Sequence, residues 1–241
     1  MPVLYVNGDS NSAGAEAVNS YSFAIDDPLY WALGRQPHPD NLQVSYGCEL
    51  ANMMGYTLEC DAESASSNAR IVRTTYEQLT GVQGMITRKP DLIVIGWSTW
   101  EREEWWDAET NRYWQVNAGG IGHDWPYNIK AQYKNYIANI DMHEAMANAS
   151  YRIWGLHQRL LDKKINHLFF NCFEPLSGVI EHDWSGCYLN PYDPKYTYYN
   201  WLKENGFTTV NGGYHFGPDA HRAWAKFLYQ TIIHKALTDK A

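Results

Sequence analysis

The sequence predicts an α/β fold, a mainly parallel sheet covered by helices on both faces in three α/β/α layers. The first observation behind this is a series of short apolar runs, at Val3 to Asn7, Tyr56 to Cys60, Asp91 to Trp97, Ile165 to Asn171 and Phe207 to Asn211, of which Tyr56 to Cys60 is the weakest. The second is the helical periodicity between them, at Tyr46 to Met54, Ala69 to Met85, Lys130 to Lys163 and Pro218 to Ala236. Strands that alternate with helices need crossover connections, which make neighbouring strands parallel and place helices on both faces. The third is a polar cluster after each run: GDSNS, ESASSN, STWERE, NCFEP and NGGYH. Open parallel sheets bind ligands beyond the carboxyl ends of their strands, so these clusters predict a site on one rim.

A chain of 241 residues suits one α/β domain, and residues 1–241 read as a single unit. Two stretches exceed ordinary connections, a Trp-rich, lid-like insertion at about 99–129 and a long loop at about 174–199. Nineteen basic against 27 acidic side chains, net charge -8, disfavour nucleic acid or an anionic membrane as partner. The strand pattern begins at Val3 and no apolar run approaches the roughly 18 residues of a span, so the chain reads as soluble, without a signal peptide. The four cysteines are scattered, with no C-x-x-C and no zinc spacing, and read as reduced thiols. No metal site and no cofactor are expected, and His157 and His167 read as structural histidines.

After the first strand, Ser10 in GDSNSAG stands where a serine can act as nucleophile. Its hydroxyl needs a base within hydrogen-bond reach and backbone donors for an oxyanion, and the free amides at the start of a following helix would supply donors. The plainer alternative is that Asp9 or Ser10 caps that helix; Asp9 reads as a loop-fixing acceptor. At the other end of the chain, NGGYHFGPDAH sets His215 after the last strand, before a helix that Pro218 and Asp219 would start. There it can reach across the sheet edge toward Ser10, and His221, six residues on, is the rival base.

With GDSNSAG near one terminus and GGYHFGPDAH near the other, the chain resembles the SGNH hydrolases, or GDSL esterase/lipase superfamily. The resemblance spans the chain in architecture and is specific in motif at the two ends. It implies a flavodoxin-like, five-stranded α/β/α sandwich and a serine esterase in which Ser10 is the nucleophile and His215 the base. This sequence departs from the family at three points. Gly212 stands where the family has an aspartate three residues before the histidine, so Asn211, a backbone carbonyl or an acid such as Glu174 would orient the imidazole, unless Ser10 and His215 act as a dyad. In ESASSN, Ser67 or its neighbour replaces the glycine whose amide faces the oxyanion, and Asn68 adds a donor. In IGWSTWERE, Ser98 or Thr99 stands at the family's asparagine donor.

Arg73 and Arg102 closely follow rim loops and would bind a substrate carboxylate or hold an acid of the insertion; Trp97 is a further substrate-binding candidate. The tryptophans of the insertion would pack over the rim, seal it or stack on sugar rings, or else form a small satellite core. The expected activity is removal of a short acyl group such as acetyl, with a small-molecule or glycan ester as partner. The alternatives are a non-catalytic glycan-binding or structural module on a degenerate scaffold, and a lipase or thioesterase. Similar GDSL-like proteins occur among phage and environmental sequences.

Overall fold

Strand β1 (Val3–Gly8) is buried along its whole length, as a strand with both faces covered must be. The computed structural model, which describes residues 1–23, 36–81, 89–119 and 125–235, sets β1 inside a four-stranded sheet. Its partners are β2 (Thr57–Cys60) on one side and β3 (Leu92–Trp97) on the other, and β6 (Asn166–Asn171) pairs with β3. All three pairings are parallel, with Leu4 opposite both Leu58 and Leu92, and Leu92 opposite Asn166.

Alternation along the strands divides the core. Leu4, Val6, Leu92, Val94, Leu168 and Phe170 face one side, packed with α2 (Tyr46–Met54), α6 (Tyr198–Glu204) and α7 (Pro218–His234). Tyr5, Ile93, Ile95, Trp97 and Phe169 face the other, packed with Ile71 of α3 (Asn68–Thr80) and with Ile153, Leu156 and Leu160 of α5 (Met142–Asp162). The expected three-layer α/β/α arrangement with a mostly parallel sheet is therefore present. The final residues of the expected 69–85 helix, and Ala236 at the end of the last, lie outside the described residues.

The fifth strand is corrected. Residues 207–211 make only an isolated bridge, Thr209 with Phe216, and then a 3₁₀ turn over Val210–Gly212. Gly206, Asn211 and Gly212 have φ of 84°, 50° and 71°, which no extended strand accommodates. The free edge of β6 is covered instead by residues 187–189. The Phe169 amide donates to the Cys187 carbonyl (2.8 Å) and the Leu189 amide to the Phe169 carbonyl (2.8 Å).

The helical stretch 130–163 is also two helices, α4 (Tyr127–Asn139) and α5, because Asp141 caps α5 by accepting from the amides of His143 and Glu144. One more helix, α1 (Pro39–Gln43), precedes α2. Within the Trp-rich insertion, β4 (Glu103–Asp107) and β5 (Arg112–Val116) form an antiparallel hairpin. Trp97 and Trp100 belong to the main core, whereas Trp105, Trp114 and Trp125 build a satellite core with Tyr133 of α4. Trp106 is 51% exposed, its ring centroid 5.0 Å from that of Tyr113. No helix among the described residues is long and apolar enough to cross a membrane.

Candidate active site

The chain leaves β1 for β2 on one side and later returns to β3 on the other, so the strand order switches at β1, where open α/β sheets form a crevice. Glycine is needed at the exit from β1. A Cβ on Gly8 would stand 2.1 Å from Ser12 Oγ and 2.7 Å from the Gly96 carbonyl. Beyond it, residues 10–16 are consecutive turns and not the regular helix expected after Ser10; the amides of Ala13 and Ala15 donate to the carbonyls of Asp9 (3.0 Å) and Ser10 (2.9 Å). Ser12 pins this turn to α2 by accepting from the Tyr46 hydroxyl at 2.7 Å. Ser10 is 5% exposed, and among the described residues neither its hydroxyl nor its amide N–H has a hydrogen-bond partner.

Asp9 is fully buried and fixes the turn. Its Oδ1 accepts from the Asn11 amide (3.0 Å), and its Oδ2 accepts from the Ser98 hydroxyl (3.1 Å), with Arg102 Nη1 at 3.5 Å. The same Arg102 nitrogen donates to Ser98 Oγ at 2.9 Å. An arginine can only donate and an ionised carboxylate only accept, so the single Ser98 proton goes to Asp9. Ser98 is thus not placed as an oxyanion donor, and Arg102 braces the turn that carries Ser10.

The other two expected donors are also taken. The Ser67 amide donates to Gln115 Oε1 (2.7 Å) on β5, while its hydroxyl caps α3 by accepting from the Arg70 amide (3.1 Å). Asn68 donates to the carbonyls of Ser98 (3.1 Å) and Thr99 (3.3 Å) and accepts from the Ser98 amide (2.9 Å). Its carboxamide therefore ties α3 to the loop after β3. The left-handed residue of the ESASSN loop is Ala65, φ 69°, and its N–H has no partner among the described residues. The Glu63 amide docks this loop on the Gly8 carbonyl (3.2 Å), and a buried Glu63–Arg70 ion pair (2.8 Å) holds it there.

His215 does not use Asn211. Its Nδ1 lies 3.0 Å from Oε2 of Glu16, six residues after Ser10 in the same loop, and that contact lowers the Glu16 carboxyl from its ordinary value. Asn211 is exposed on its 3₁₀ turn, and Glu174 is exposed after β6, its carboxyl raised by partial desolvation and further by Glu101. Glu16 has φ 62°, a left-handed conformation that costs a residue with a side chain roughly 1–2 kcal/mol. Its neighbours impose it. Gly14, φ 67°, passes so close to α1 that a Cβ would stand 2.6 Å from the Asn41 carbonyl. The buried Asn41 side chain also bonds the backbone of Val18, Asn19 and Tyr21 at 2.8–3.0 Å. The signal for Glu16 was an acid in the loop that carries the serine, a place the family pattern gave no reason to search.

His221 is buried in α7. Its Nδ1 accepts from the Tyr46 amide (3.2 Å), with the Tyr198 hydroxyl at 3.4 Å, and burial pushes its pKa down to about 3. Such an imidazole is too weak a base to take a serine proton near neutrality. Trp97 is corrected as well, being fully buried edge-on to Phe169, where no substrate reaches it. Arg73 holds an acid of the insertion: its Nε and Nη2 donate to the two Glu104 oxygens at 2.8 Å each, its Nη1 donates to Glu77, and its guanidinium lies 4.7 Å from the Tyr113 ring centroid.

These features define an α/β protein with a polar rim site at the switch point of a parallel sheet. More narrowly, residues 41–184 match a family of unknown function, DUF6071, and the chain belongs to that family. No curated protein matches it. Among solved structures it is similar to a carbohydrate esterase family 2 enzyme with a carbohydrate-binding domain from Corynascus thermopiles (Myceliophthora fergusii), at 15% identity and a TM-score of 0.45, over 98% of this chain and 67% of that one. It is also similar to the acetyl xylan esterase Est2A from Butyrivibrio proteoclasticus, at 11% identity and 0.46, over 98% and 64%. A third is a protein assigned to the lipolytic G-D-S-L family from Desulfitobacterium hafniense, at 9% identity and 0.46, over 96% and 99%. The chain spans about two thirds of the length of the first two.

Proposed function

We propose that the protein is a serine esterase acting on short acyl esters, with Ser10 as nucleophile, His215 as general base and Glu16 as the acid that orients it. The observation that carries this reading is the 3.0 Å contact between His215 Nδ1 and Glu16, which joins the last rim loop to the loop that presents Ser10. An imidazole whose Nδ1–H is held by a carboxylate keeps Nε2 as a lone pair, the tautomer a serine proton needs. Ser10 Oγ bonds to the ester carbonyl carbon as its proton passes to His215 Nε2, and the imidazolium returns it to the departing alkoxide. Water repeats the sequence and releases the acid. Glu16 stays ionised throughout. The amides of Ser10 and Ala65 supply the oxyanion donors, because side chains in that region are taken by structural bonds. The confined, polar surroundings of Ser10, with Asp9, Asn11 and Arg102 close by, suit an acetyl-sized group better than a long chain. A carbohydrate carrier fits the exposed Trp106, which packs on a half-buried Tyr113 on the hairpin.

A second reading has an observation of its own. Ser67, Asn68 and Ser98 are all bound into the framework, as a scaffold that has lost its chemistry and kept a glycan-binding face would have them. A fluorophosphonate probe separates the two, with p-nitrophenyl acetate turnover measured alongside. Labelling of the wild type that disappears in Ser10→Ala is expected. A folded wild type that neither labels nor hydrolyses the ester overturns the esterase reading in favour of the second.

A further inference from the structure

Away from the rim, three side chains converge behind β6. His157 on α5, His167 on β6 and Cys187 on the segment that covers the β6 edge each bring one ligand atom into a cluster, the three atoms lying within 4.8 Å of one another. All three residues are buried. The Cys187 thiol donates to the Ser185 carbonyl (3.7 Å), but no arrangement of protons on two neutral rings satisfies both histidines. His167 Nδ1 lies 2.9 Å from the Ile165 carbonyl, which can only accept, so this nitrogen carries the proton and Nε2 is a lone pair. That lone pair faces His157 Nδ1 at 2.8 Å, so His157 must hold its proton there to donate. His157 Nε2 is then a bare acceptor, buried and without a hydrogen-bond partner among the described residues. A buried polar atom left unpaired costs about 1–3 kcal/mol.

A cation resolves the arrangement. Bound between His157 Nδ1, His167 Nε2 and Cys187 Sγ, it would be met by a lone pair from each ring and a thiolate. The His157 proton would move to Nε2 and leave Nδ1 a lone pair for the cation. His167 would keep its bond to the Ile165 carbonyl, the kind of outer partner that metal-bound histidines have on their second nitrogen. We propose that His157, His167 and Cys187 form a structural site for a thiophilic d¹⁰ cation, Zn²⁺ or Cu⁺, which fastens the 187–189 edge segment to β6 and α5. Two imidazoles and one thiolate select these ions over Mg²⁺ or Ca²⁺. Metal–nitrogen bonds near 2.0–2.1 Å require the two ring nitrogens to part from 2.8 Å to about 3.4 Å. The site stands apart from Ser10 and does not depend on the esterase reading.

The test is elemental analysis of the full chain purified from zinc-supplemented and from copper-supplemented cultures, with a cobalt-grown sample for spectroscopy. One equivalent of zinc or copper per chain is expected, and the two cultures distinguish the ions. Cys187→Ser and His167→Gln should each retain less than about a tenth of it. Cobalt in the wild type should show thiolate-to-metal charge-transfer absorption. A folded wild type without zinc or copper, or metal retained in full by both variants, overturns the proposal. If the variants do not fold, the wild-type cobalt spectrum decides: absence of thiolate coordination removes Cys187 as a ligand and the proposal with it.

Discussion

Two sets of loops meet at the carboxyl end of the sheet, and they use their polar groups in opposite ways. In the loops after β2 and β3, Ser67, Asn68 and Ser98 direct their hydrogen-bonding groups inward, to Gln115, to each other and to Asp9. In the loops at the two ends of the chain, the Ser10 hydroxyl and the second nitrogen of His215 have no partner among the described residues, while the first meets Glu16. The difference teaches that a polar residue at a rim position is not by that fact a site residue. A hydroxyl has one proton to give and a carboxamide two, and once a framework has taken them they are lost to a ligand.

The largest effect should fall on the terminal loops. Ser10→Ala and His215→Ala should each lower kcat/KM for p-nitrophenyl acetate at least about 10³-fold, roughly 4 kcal/mol, with the fold retained by circular dichroism. Comparable losses from Asn68→Ala or Ser98→Ala at unchanged stability would erase the contrast between the two sets of loops. For Asn68→Ala the expected loss is in stability, about 2–4 kcal/mol in urea unfolding. The carboxamide is buried and its removal leaves the Ser98 amide without an acceptor. Activity per folded molecule should stay within about threefold.

Glu16→Gln sharpens the comparison from the other side. A positioning carboxylate should affect turnover more than binding, so kcat should fall about 30- to 100-fold with KM within about twofold. This is less than for a fully buried triad acid, because Glu16 is 41% exposed. Glu16→Asp, which keeps the charge but shortens the reach, should recover part of the rate. Equal kcat for wild type and Glu16→Gln would leave His215 unaided by Glu16.

His221 offers a test through pH. It is neutral and buried in the fold, facing the Tyr46 amide and ring, the Tyr198 hydroxyl and, at longer range, His215. In the unfolded chain its pKa is about 6.5, so between pH 6.5 and 3 the unfolded state binds the extra proton and stability falls as pH falls. From pH 7 to pH 5 this one residue should cost about 2 kcal/mol. Urea melts of wild type and His221→Asn at both pH values check it, the variant losing less on acidification. An equal loss in both would show that His221 is not the residue that titrates.

The sheet was legible because fully buried parallel strands are continuous apolar runs, and four of the expected runs became strands within a residue or two. The fifth misled because FTTVN has strand composition, while Gly206 and Gly212, flanking it, take left-handed conformations that turn the chain away. The hairpin was hidden by its charge: EEWWD and RYWQV pack Trp105 and Trp114 on a satellite core and show no apolar run. At the site, the serine and histidine stood out because each follows a strand-like run. Their partners did not, since Glu16 lies 199 residues from His215 in sequence, and Gln115, which takes the Ser67 amide, lies 48 residues from it. Which donors remain free depends on contacts of that range, and no local spacing encodes them.

The smallest effect concerns Trp106, the tryptophan of the hairpin with most of its ring in solvent. Trp105 and Trp114, its neighbours on β4 and β5, are held by the satellite core, so their loss would combine a cavity with any change in binding. Trp106 is 51% exposed and packs on Tyr113, which Arg73 in turn braces, so Trp106→Ala should change stability by less than about 0.5–1 kcal/mol. Any larger functional change then reports on ligand contact alone. If the hairpin supplies a sugar platform, the variant should raise KM several-fold for an acetylated oligosaccharide and leave p-nitrophenyl acetate turnover unchanged. If both substrates respond equally, the indole acts on the rim and not on a carrier. If neither responds, the hairpin's tryptophans serve the satellite core, and the carbohydrate part of the functional reading loses its structural support while the Ser10–His215–Glu16 chemistry stands.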